Sequence, residues 1–350
     1  MSDVTPEAWR SAGELEEMAR LRLSPAAYDY IAGGAGEELT MAANRSGFER
    51  CRLRPRVLTG VDQASTTSTV LGAQLAAPIF VSPMGGPAHL LAHPRGVAEA
   101  AAGAADAGLA YMVSAGSVPS LELPGAARIC QLNPADRGLM AELVAQARDL
   151  GYLGVCLTVD VPVPALRRRN LRHQRGVPSP TAGPTQEGFA NPAYFARPAT
   201  WADVEWLRSI CPLPLLIKGI MTAEDARIAI EVGVQGVVVS NHGGRQLDHA
   251  LGTIEVLPEV AEAVEGRALL LIDGGVRTGA EVAIALALGA DAVGVGRPVL
   301  WALAVSGREG VAAFLGSLIE DLARTMAFLG VASVADLGPT HVDRRHCREH

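Results

Sequence analysis

The stretch LLIKGIMTAEDARIAIEVGVQGVVVSNH, residues 215–242, contains two apolar runs separated by an amphipathic segment. The runs LLIKG (215–219) and GVVVSNH (236–242) are apolar up to their polar ends, as expected for strands buried on both faces of a parallel sheet. The segment between them, TAEDARIAIEVG (222–233), has helical periodicity and ends on glycine, a common residue at helix C-termini. The stretch therefore predicts a strand–helix–strand unit with two parallel strands.

The same alternation continues along the chain in both directions. Eight strand–helix units within about 220 residues predict an α/β fold, a TIM (β/α)8 barrel from about residue 78 to 310. A doubly wound open sheet is the alternative, but it usually has a GxGxxG turn after its first strand, which SPMGGPAHL (82–90) does not match. The apolar runs are PIFVSP (78–83), LAYMVSAG (109–116), RICQLN (128–133), GVCLTVD (154–160), LLIKG, GVVVSNH, LLLIDGG (269–275) and AVGVGR (292–297).

The remaining segments are interpreted as additions to one barrel domain that spans the chain of 350 residues. Residues 1–77 are expected to form an N-terminal helical extension, and residues 308–335 to form C-terminal closing helices. The segment 173–200 follows the fourth strand, is rich in proline and glycine, and has no periodicity. A loop of this length is either an active-site lid or disordered.

Composition and charge narrow the class of protein. The formal net charge is −7 and the sequence has no basic block, which argues against binding to nucleic acid. The five cysteines have neither CxxC nor metal-ligand spacing, so we expect free thiols and no metal site. The acidic N-terminus differs from a signal peptide, and no apolar run reaches the roughly 18 to 20 residues that span a membrane. We expect a soluble cytoplasmic protein.

Polar residues at the ends of the predicted strands indicate where the site lies. In a TIM barrel the carboxyl ends of all strands open on one face, which carries the active site. A single histidine or lysine at such a position is usually structural or solvated, whereas polar groups after eight apolar runs are hard to explain by chance. The candidates are Ser82, Ser114, Gln131, Thr158, Asp160, Lys218, Ser240, His242, Arg245, Asp273, Arg277, Gly296 and Arg297.

The turns after strands seven and eight suit a phosphate group. Asp273 is followed by two glycines and Arg277, and Gly296 is followed by Arg297. Backbone N–H groups and guanidinium groups bind phosphate, and this is the usual phosphate corner of the fold. The alternative is that Asp273 and Arg297 form only an internal ion pair.

A second group of residues suits proton transfer on an anionic substrate. Histidine is a common general base in enzymes, so His242 can take a proton, and a neighbouring Asp160 would favour its protonated form. Arg245 and Arg167 would bind a carboxylate through bidentate contacts. Lys218 would stabilise negative charge that develops on an electron-accepting ring.

These residues resemble a known family, the FMN-dependent 2-hydroxy acid oxidases and dehydrogenases. That family includes glycolate oxidase, lactate oxidase, mandelate dehydrogenase and the flavin domain of flavocytochrome b2. The stretch SNHGGRQLD (240–248) resembles the family signature, and the resemblance extends from about residue 25 to 335. Further agreement is found in YDYIAGGAGEELTMAANRSGFER (28–50), LTVDVP (157–162), LPLLIKGIMTAEDARIAI (213–230), LLIDGGVRTGAEV (270–282) and GVGRPVLWALA (294–304).

The resemblance implies a role for each residue that acts on the substrate. His242 would take the proton while the 2-hydroxy acid is oxidised to a 2-keto acid and FMN accepts electrons at N5. Asp160 would support the protonated imidazole. Arg245 and Tyr30 would bind the carboxylate, with assistance from Arg167.

The resemblance also implies an FMN site. Lys218 would face N1 and C2=O of the flavin and stabilise the reduced anion, and Asp273 would reach the ribityl chain. The phosphate would be bound by Arg277, Gly296 and Arg297. The ring would be contacted by Ser114, Gln131 and Thr158, and the further cofactor residues are Ser82, Pro83, Met84, Gly85, Ser240, Gly274 and Gly275.

The sequence departs from the family pattern at several positions. Asn133 stands where the family usually has a tyrosine that contacts the substrate, and Gly116 stands where glycolate-type enzymes have tryptophan. Arg168 and Asn170 replace acidic positions of the loop, and Gly85 replaces an alanine that is common in oxidases. Smaller side chains predict a wider pocket, and a glycine at position 85 is a weak indication of a quinone-type acceptor.

The sequence therefore predicts an oxidoreductase that acts on a bulky or aromatic (S)-2-hydroxy acid of mandelate type, with oxygen or a quinone-type carrier as electron acceptor. Oxidation of a specialised biosynthetic substrate, with or without decarboxylation, is an alternative. The FMN-dependent isopentenyl diphosphate isomerases lack the pair His242 and Arg245, and a non-catalytic flavoprotein would not need His242 and Asp160. The resemblance also implies a homo-oligomer, commonly a tetramer.

Overall fold

The computed structural model describes residues 11–115, 118, 120–173 and 198–343, and it contains a closed barrel of eight parallel strands. Each strand pairs with the next one along the chain, and the last pairs with the first. The predicted TIM barrel is therefore confirmed, with every strand at its predicted apolar run. The strands are β1 (Ile79–Val81), β2 (Ala110–Ser114), β3 (Arg128–Leu132), β4 (Gly154–Thr158), β5 (Leu215–Ile220), β6 (Gly236–Val239), β7 (Leu269–Asp273) and β8 (Ala292–Val295).

The interior of the barrel is filled by apolar side chains from all eight strands, as is usual for this fold. A short hairpin, Ser68–Val70 and Ala73–Leu75, contributes Val70 and Leu75 to the same cluster. The hairpin therefore closes one end of the barrel and leaves the carboxyl ends of the strands for the site. The inward-facing side chains are those of Phe80, Ala110, Met112, Ile129, Cys156, Leu216, Val238, Leu271 and Ala292.

Helices surround the barrel. The apolar side chains buried between the helices and the outside of the barrel form the larger of the two apolar clusters. The helix Ala223–Val232 begins after Thr222, whose hydroxyl accepts the N–H of Asp225 at 3.2 Å, and ends at Gly233 with a φ of 85°. The glycine at its C-terminus is the one that the sequence predicts, and the threonine cap is an addition. The helices that follow β1 are α4 (Gly86–Ala92), α5 (Gly96–Asp106), α6 (Arg137–Asp149), α7 (Arg168–Leu171), α8 (Trp201–Ile210), α9 (Ala223–Val232), α10 (Thr253–Val264), α11 (Gly279–Ala287) and α12 (Arg297–Leu329).

The N-terminal extension is helical through Arg50, in α1 (Ala12–Arg22), α2 (Pro25–Ala32) and α3 (Leu39–Arg50). The part from 51 to 77 differs from the helical prediction. It contains the hairpin and a two-residue strand that pairs with residues 342 and 343. Strands of two or three residues are too short to give a readable alternation of apolar and polar positions.

The C-terminal helix α12 consists of two segments, because Ser306 and Gly307 have non-helical backbone angles. By length and composition alone α12 could cross a membrane, and it is the one helix of the described ranges that could. Its buried side chains, such as Trp301, Leu315 and Leu322, pack in the core of the protein. The second segment begins where the closing helices are predicted, near residue 308.

Two sequence predictions lie outside the residues that the structure describes. They are the substrate-pocket position Gly116 and most of the predicted lid, of which only residue 173 and residues 198–200 are described.

Candidate active site

A lysine, a serine and an aspartate meet inside the barrel at the ends of β5, β6 and β7. Lys218 Nζ donates to Ser240 Oγ at 2.7 Å, and Ser240 Oγ donates to Asp273 Oδ1 at 2.6 Å. The ammonium also lies 3.3 Å from Asp273 Oδ2. Burial would lower the pKa of Lys218, but the charges of Asp273 and Asp160 outweigh it and raise that pKa above its ordinary value. The lysine, which is 3% exposed, is therefore a permanent positive charge within the barrel mouth.

The predicted base and its carboxylate partner are in direct contact. His242 Nδ1 lies 3.1 Å from Asp160 Oδ1. Burial would raise the pKa of Asp160, but His242 and then Lys218 lower it below its ordinary value, so Asp160 carries a negative charge. Gly219 makes room for this carboxylate, since a Cβ at that position would collide with Asp160. A carboxylate beside an imidazole stabilises the protonated ring, as a proton acceptor requires.

The turn after β6 places His242 at the mouth of the barrel. His242 has a φ of 58°, and the next two residues, both glycine, also have positive φ. The His242 N–H donates to Ser240 Oγ at 3.1 Å, which connects the turn to the lysine. At the far end of the turn, Gly244 O accepts the N–H of Ala35 at 2.8 Å. The turn is therefore attached to the N-terminal extension as well as to the barrel.

Three arginines converge beside His242. Arg245 Nη1 and Arg297 Nη2 both donate to Gly33 O, at 2.7 Å and 2.9 Å. Arg167 Nε donates to the backbone oxygen of Arg245 at 3.2 Å, and the guanidinium of Arg245 lies 5.3 Å from the ring centre of Tyr30. Burial, and then repulsion from Arg167, lowers the pKa of Arg245 to about 10. The structure therefore brings together Arg245, Arg167 and Tyr30, as predicted, and adds Arg297 to them.

The arginine cluster, defined as Arg167, Arg245, Arg277 and Arg297, forms no ion pair with a carboxylate of the described chain. Burial, and then repulsion from Arg245 and Arg277, lowers the pKa of Arg297 well below its ordinary value. The alternative of an internal Asp273–Arg297 ion pair is wrong, because Asp273 pairs with Lys218 instead. Uncompensated cations at the mouth of a barrel provide a binding site for an anion.

The predicted phosphate corner lies between β7 and α11. The Arg277 guanidinium stacks over the Trp301 ring at 4.9 Å, and the backbone N–H of Arg277 donates to Glu281 Oε2 at 2.6 Å. Gly275 has a φ of 90°, and a Cβ there would collide with the backbone oxygen of Asn44 in α3. The neighbouring Gly274 also has positive φ, and Gly296 immediately precedes α12. Sequence reasoning missed Arg45, which donates to Gly275 O and lies 2.7 Å from Glu281.

The ends of β3 and β4 carry a polar network. Gln131 Nε2 donates to Thr158 Oγ1 at 2.8 Å and to Asn133 Oδ1 at 3.0 Å. Gln131 and Thr158 are buried, as is Ser114 at the end of β2. The structure therefore places Asn133 next to the residues predicted to contact the flavin.

The loop after β1 contributes a buried hydroxyl. Ser82 Oγ has no hydrogen-bond partner within the described residues, whereas Pro83 and Met84 are partly exposed and Gly85 is exposed. Sequence reasoning missed His89 of α4, whose Nε2 lies 2.9 Å from the Tyr111 hydroxyl. Its other ring nitrogen lies 3.4 Å from the backbone oxygen of Gly85. A histidine one helical turn into α4 gives no periodic signal that would separate it from the apolar core.

These residues fit FMN on several independent grounds. Ser82 Oγ and Asp160 Oδ2 are buried polar atoms that no described group satisfies. Arg277 and Arg297 supply positive charge for a phosphate, and Lys218 supplies a buried positive charge for an electron-accepting ring. The polar ends of eight strands thus present the charge and hydrogen-bonding groups that a flavin mononucleotide needs.

Comparison with known proteins agrees with this site. L-lactate oxidase from Nostoc sp. is 41% identical over 353 residues, which cover 93% of this chain and 95% of that protein. 2-Hydroxyacid oxidase 2 from Homo sapiens is 39% identical and covers 93% of this chain and 95% of its own length. The crystal structure of mandelate oxidase with (S)-2-phenylpropionate superposes with a TM-score of 0.87 at 38% identity, covering 96% of this chain and 98% of that one.

The family of FMN-dependent dehydrogenases matches residues 19–344. This range contains the last part of α1, the helices α2 and α3, and the whole barrel. The predicted cofactor and enzyme class are therefore confirmed. With its basic site at the barrel mouth, this chain belongs to the FMN-dependent dehydrogenases, as an oxidoreductase of the 2-hydroxy acid oxidase type.

Proposed function

We propose that this protein oxidises an (S)-2-hydroxy acid with a bulky or aromatic side chain, of mandelate type, to the corresponding 2-keto acid. The observation that carries the proposal is the contact of His242 with Asp160 beside arginines that pair with no carboxylate among the described residues. A proton acceptor and an anion site in one barrel mouth suit a substrate that carries a carboxylate next to the carbon to be oxidised.

The carboxylate of the substrate is bound by Arg245 and Arg167, with Tyr30 alongside. Arg245 donates through Nη1 to backbone oxygens alone, so its positive charge is not neutralised by a carboxylate of the described chain. Charge-assisted hydrogen bonds from two arginines bind a carboxylate and fix its orientation. His242 lies at the same end of the barrel as Arg167 and Arg245. A carboxylate bound by the two arginines therefore places the 2-carbon of the acid close to His242.

His242 accepts the proton that the substrate loses. Asp160 is ionised and 3.1 Å away, so it stabilises the imidazolium that forms. Bound FMN supplies the two-electron oxidant. Lys218 remains protonated because of the charges of Asp273 and Asp160. Its ammonium group would stabilise negative charge on an electron-accepting ring bound next to it.

The size of the substrate is inferred from Asn133. Its side chain is shorter than the tyrosine that is usual at this position, and its Oδ1 is occupied by Gln131. Solved mandelate oxidase structures at 37% and 38% identity cover nearly the whole chain, which supports an aromatic acid. Lactate and glycolate oxidases are similar at 41% and 38% identity, so small acids are the alternative to be tested.

Oxygen is the proposed electron acceptor. The similar proteins with known activity, from the lactate oxidase to the human 2-hydroxyacid oxidase, are named as oxidases. Gly85, which suggested a quinone-type acceptor, lies in an exposed position at the start of α4.

The test is anaerobic stopped-flow reduction of the FMN-loaded protein by glycolate, L-lactate and both enantiomers of mandelate, followed by mixing with oxygen. We expect (S)-mandelate to bleach the flavin fastest and oxygen to restore it quickly. Asn133→Tyr is the matched variant, and we expect it to lose selectivity for mandelate over lactate. Faster reduction by lactate than by mandelate would refute the proposed substrate, and slow reoxidation would refute oxygen as acceptor.

A further inference from the structure

We propose that Asn44 of α3 is a positioning residue, which acts through Asn241 to set the orientation of the proton acceptor His242. The inference rests on the proposed function, because it needs His242 to take the proton. Asn44 touches neither His242 nor the arginine cluster in the hydrogen bonds that the described chain makes.

The two asparagines form a reciprocal amide pair across 197 residues of sequence. Asn44 Nδ2 donates to Asn241 Oδ1 at 2.9 Å, and Asn241 Nδ2 donates to Asn44 Oδ1 at 2.8 Å. Both residues are buried, with Asn44 at 2% and Asn241 at 6% exposure. Asn44 Oδ1 also accepts the N–H of Thr253, the first residue of α10. The Asn44 amide therefore makes three of the four hydrogen bonds open to it, and these three fix its orientation.

Asn241 transmits this fixed orientation to the turn. Its Oδ1 accepts the N–H of Gly244 at 3.1 Å, and its Nδ2 donates to Leu251 O at 3.0 Å. One side chain therefore joins both ends of the loop between β6 and α10. Asn241 also immediately precedes His242 in the chain, so a rotation of its backbone would move the imidazole away from Asp160.

The turn needs such support because its backbone is unusual. His242, Gly243 and Gly244 have φ values of 58°, 65° and 73°, three successive left-handed residues. Glycine tolerates this conformation, but a histidine pays a steric cost there and persists in it only when its surroundings enforce it. Without the Asn44–Asn241 pair, we expect His242 to relax toward a right-handed or extended backbone and to lose its contact with Asp160.

The experiment is a double-mutant cycle on the FMN-loaded protein, with the rate of anaerobic flavin reduction as readout. We expect Asn44→Leu to lower this rate about 100-fold, the size of effect that a displacement of about 1 Å at a reacting group can cause. The apparent substrate dissociation constant should change less than about threefold, because Arg245 and Arg167 remain. In a His242→Gln background, Asn44→Leu should have no further effect beyond about threefold.

Two further variants guard against a general loss of structure. Asn44→Asp keeps the oxygen that accepts from Asn241 and Thr253, so it should fold if Asn44→Leu does not, and it should lower the rate about 10-fold because the donated bond is lost. Thr66→Val removes a buried hydrogen bond of 2.7 Å to Ala76 O beside the hairpin, and it should leave the rate unchanged.

Nuclear magnetic resonance of the protein without substrate reports on the environment of His242 directly. The ¹⁵N resonances of His242, assigned with His242→Gln, should shift in Asn44→Leu and stay in place in Thr66→Val. Equal effects of Asn44→Leu with and without His242, or unshifted resonances, overturn the inference alone. If His242→Gln itself reduces flavin at the wild-type rate, the proposed function fails and the inference fails with it.

Discussion

Replacement of Asp160 by asparagine isolates the charge beside the proton acceptor. His242 Nδ1 and Asp160 Oδ1 are 3.1 Å apart, and two unit charges at that distance attract by about 5 kcal/mol at an effective dielectric constant of about 20. The side chain of His242 is 30% exposed, so solvent screens the pair, and we take about half of that attraction, 2 to 3 kcal/mol. The attraction arises only when His242 has taken the proton. Its loss should therefore slow proton transfer about 30- to 150-fold.

The assay is anaerobic stopped-flow reduction of bound FMN over a range of substrate concentrations. Asp160→Asn should lower the limiting rate and leave the apparent dissociation constant nearly unchanged, because Arg245 and Arg167 bind the carboxylate. Asp291→Asn is the matched control, since Asp291 accepts the N–H of Leu270 at 2.7 Å at the opposite ends of β7 and β8. A limiting rate within a factor of two or so of wild type would refute the assignment of Asp160 as the partner of the base.

Three further results are expected. Lys218→Met leaves the buried carboxylate of Asp273 unpaired and should lower the free energy of unfolding by about 3 kcal/mol in urea titrations, and the added change Asp273→Asn should restore most of it. Burial lowers the pKa of His89 from 6.5 to about 4. As the pH falls, the unfolded chain therefore takes up a proton at this histidine before the folded protein does. The free energy of unfolding should fall by about 3 kcal/mol between pH 6.5 and 4. His89→Gln should remove this loss and Tyr111→Phe should keep it, as urea unfolding at several pH values will show; the same dependence in both variants would contradict the assignment. Gly275→Ala should weaken FMN retention in gel filtration, because a Cβ collides with α3, and unchanged retention would contradict that packing.

The barrel could be predicted because each of its strands is buried on both faces. Such a strand has apolar residues at successive positions, which are visible in the sequence as an apolar run. β6 (Gly236–Val239) is such a run, and its end predicted His242 at the mouth. The turn that carries His242 could not be predicted in the same way. Its geometry depends on Asn44 and Ala35, which lie about 200 residues earlier and contact it only after folding. No periodicity reports a contact over such a separation.

The placement of Arg297 shows the same limit. The glycine turn and the resemblance assigned it to the phosphate corner, apart from the substrate residues. In the structure its guanidinium donates to Gly33 O and Gly243 O, beside Arg245. The start of α12 determines where the side chain begins, but acceptors at the end of α2 and in the turn after β6 determine where it ends. Sequence reasoning can locate such a residue at a strand end and cannot give the direction of a long side chain.

The mouth of the barrel is therefore built from the strand ends and the N-terminal extension, which contribute different kinds of groups. The strand ends supply the groups with chemical roles, including Lys218, Asp160 and His242. The N-terminal extension supplies backbone oxygens for Arg245 and Arg297 and the amide of Asn44 for the left-handed turn. Because a TIM barrel is complete without that extension, its contacts with the mouth serve the geometry of the site more than the closure of the fold. Substitutions on the inner face of α3 should accordingly affect flavin reduction more than they affect the free energy of unfolding.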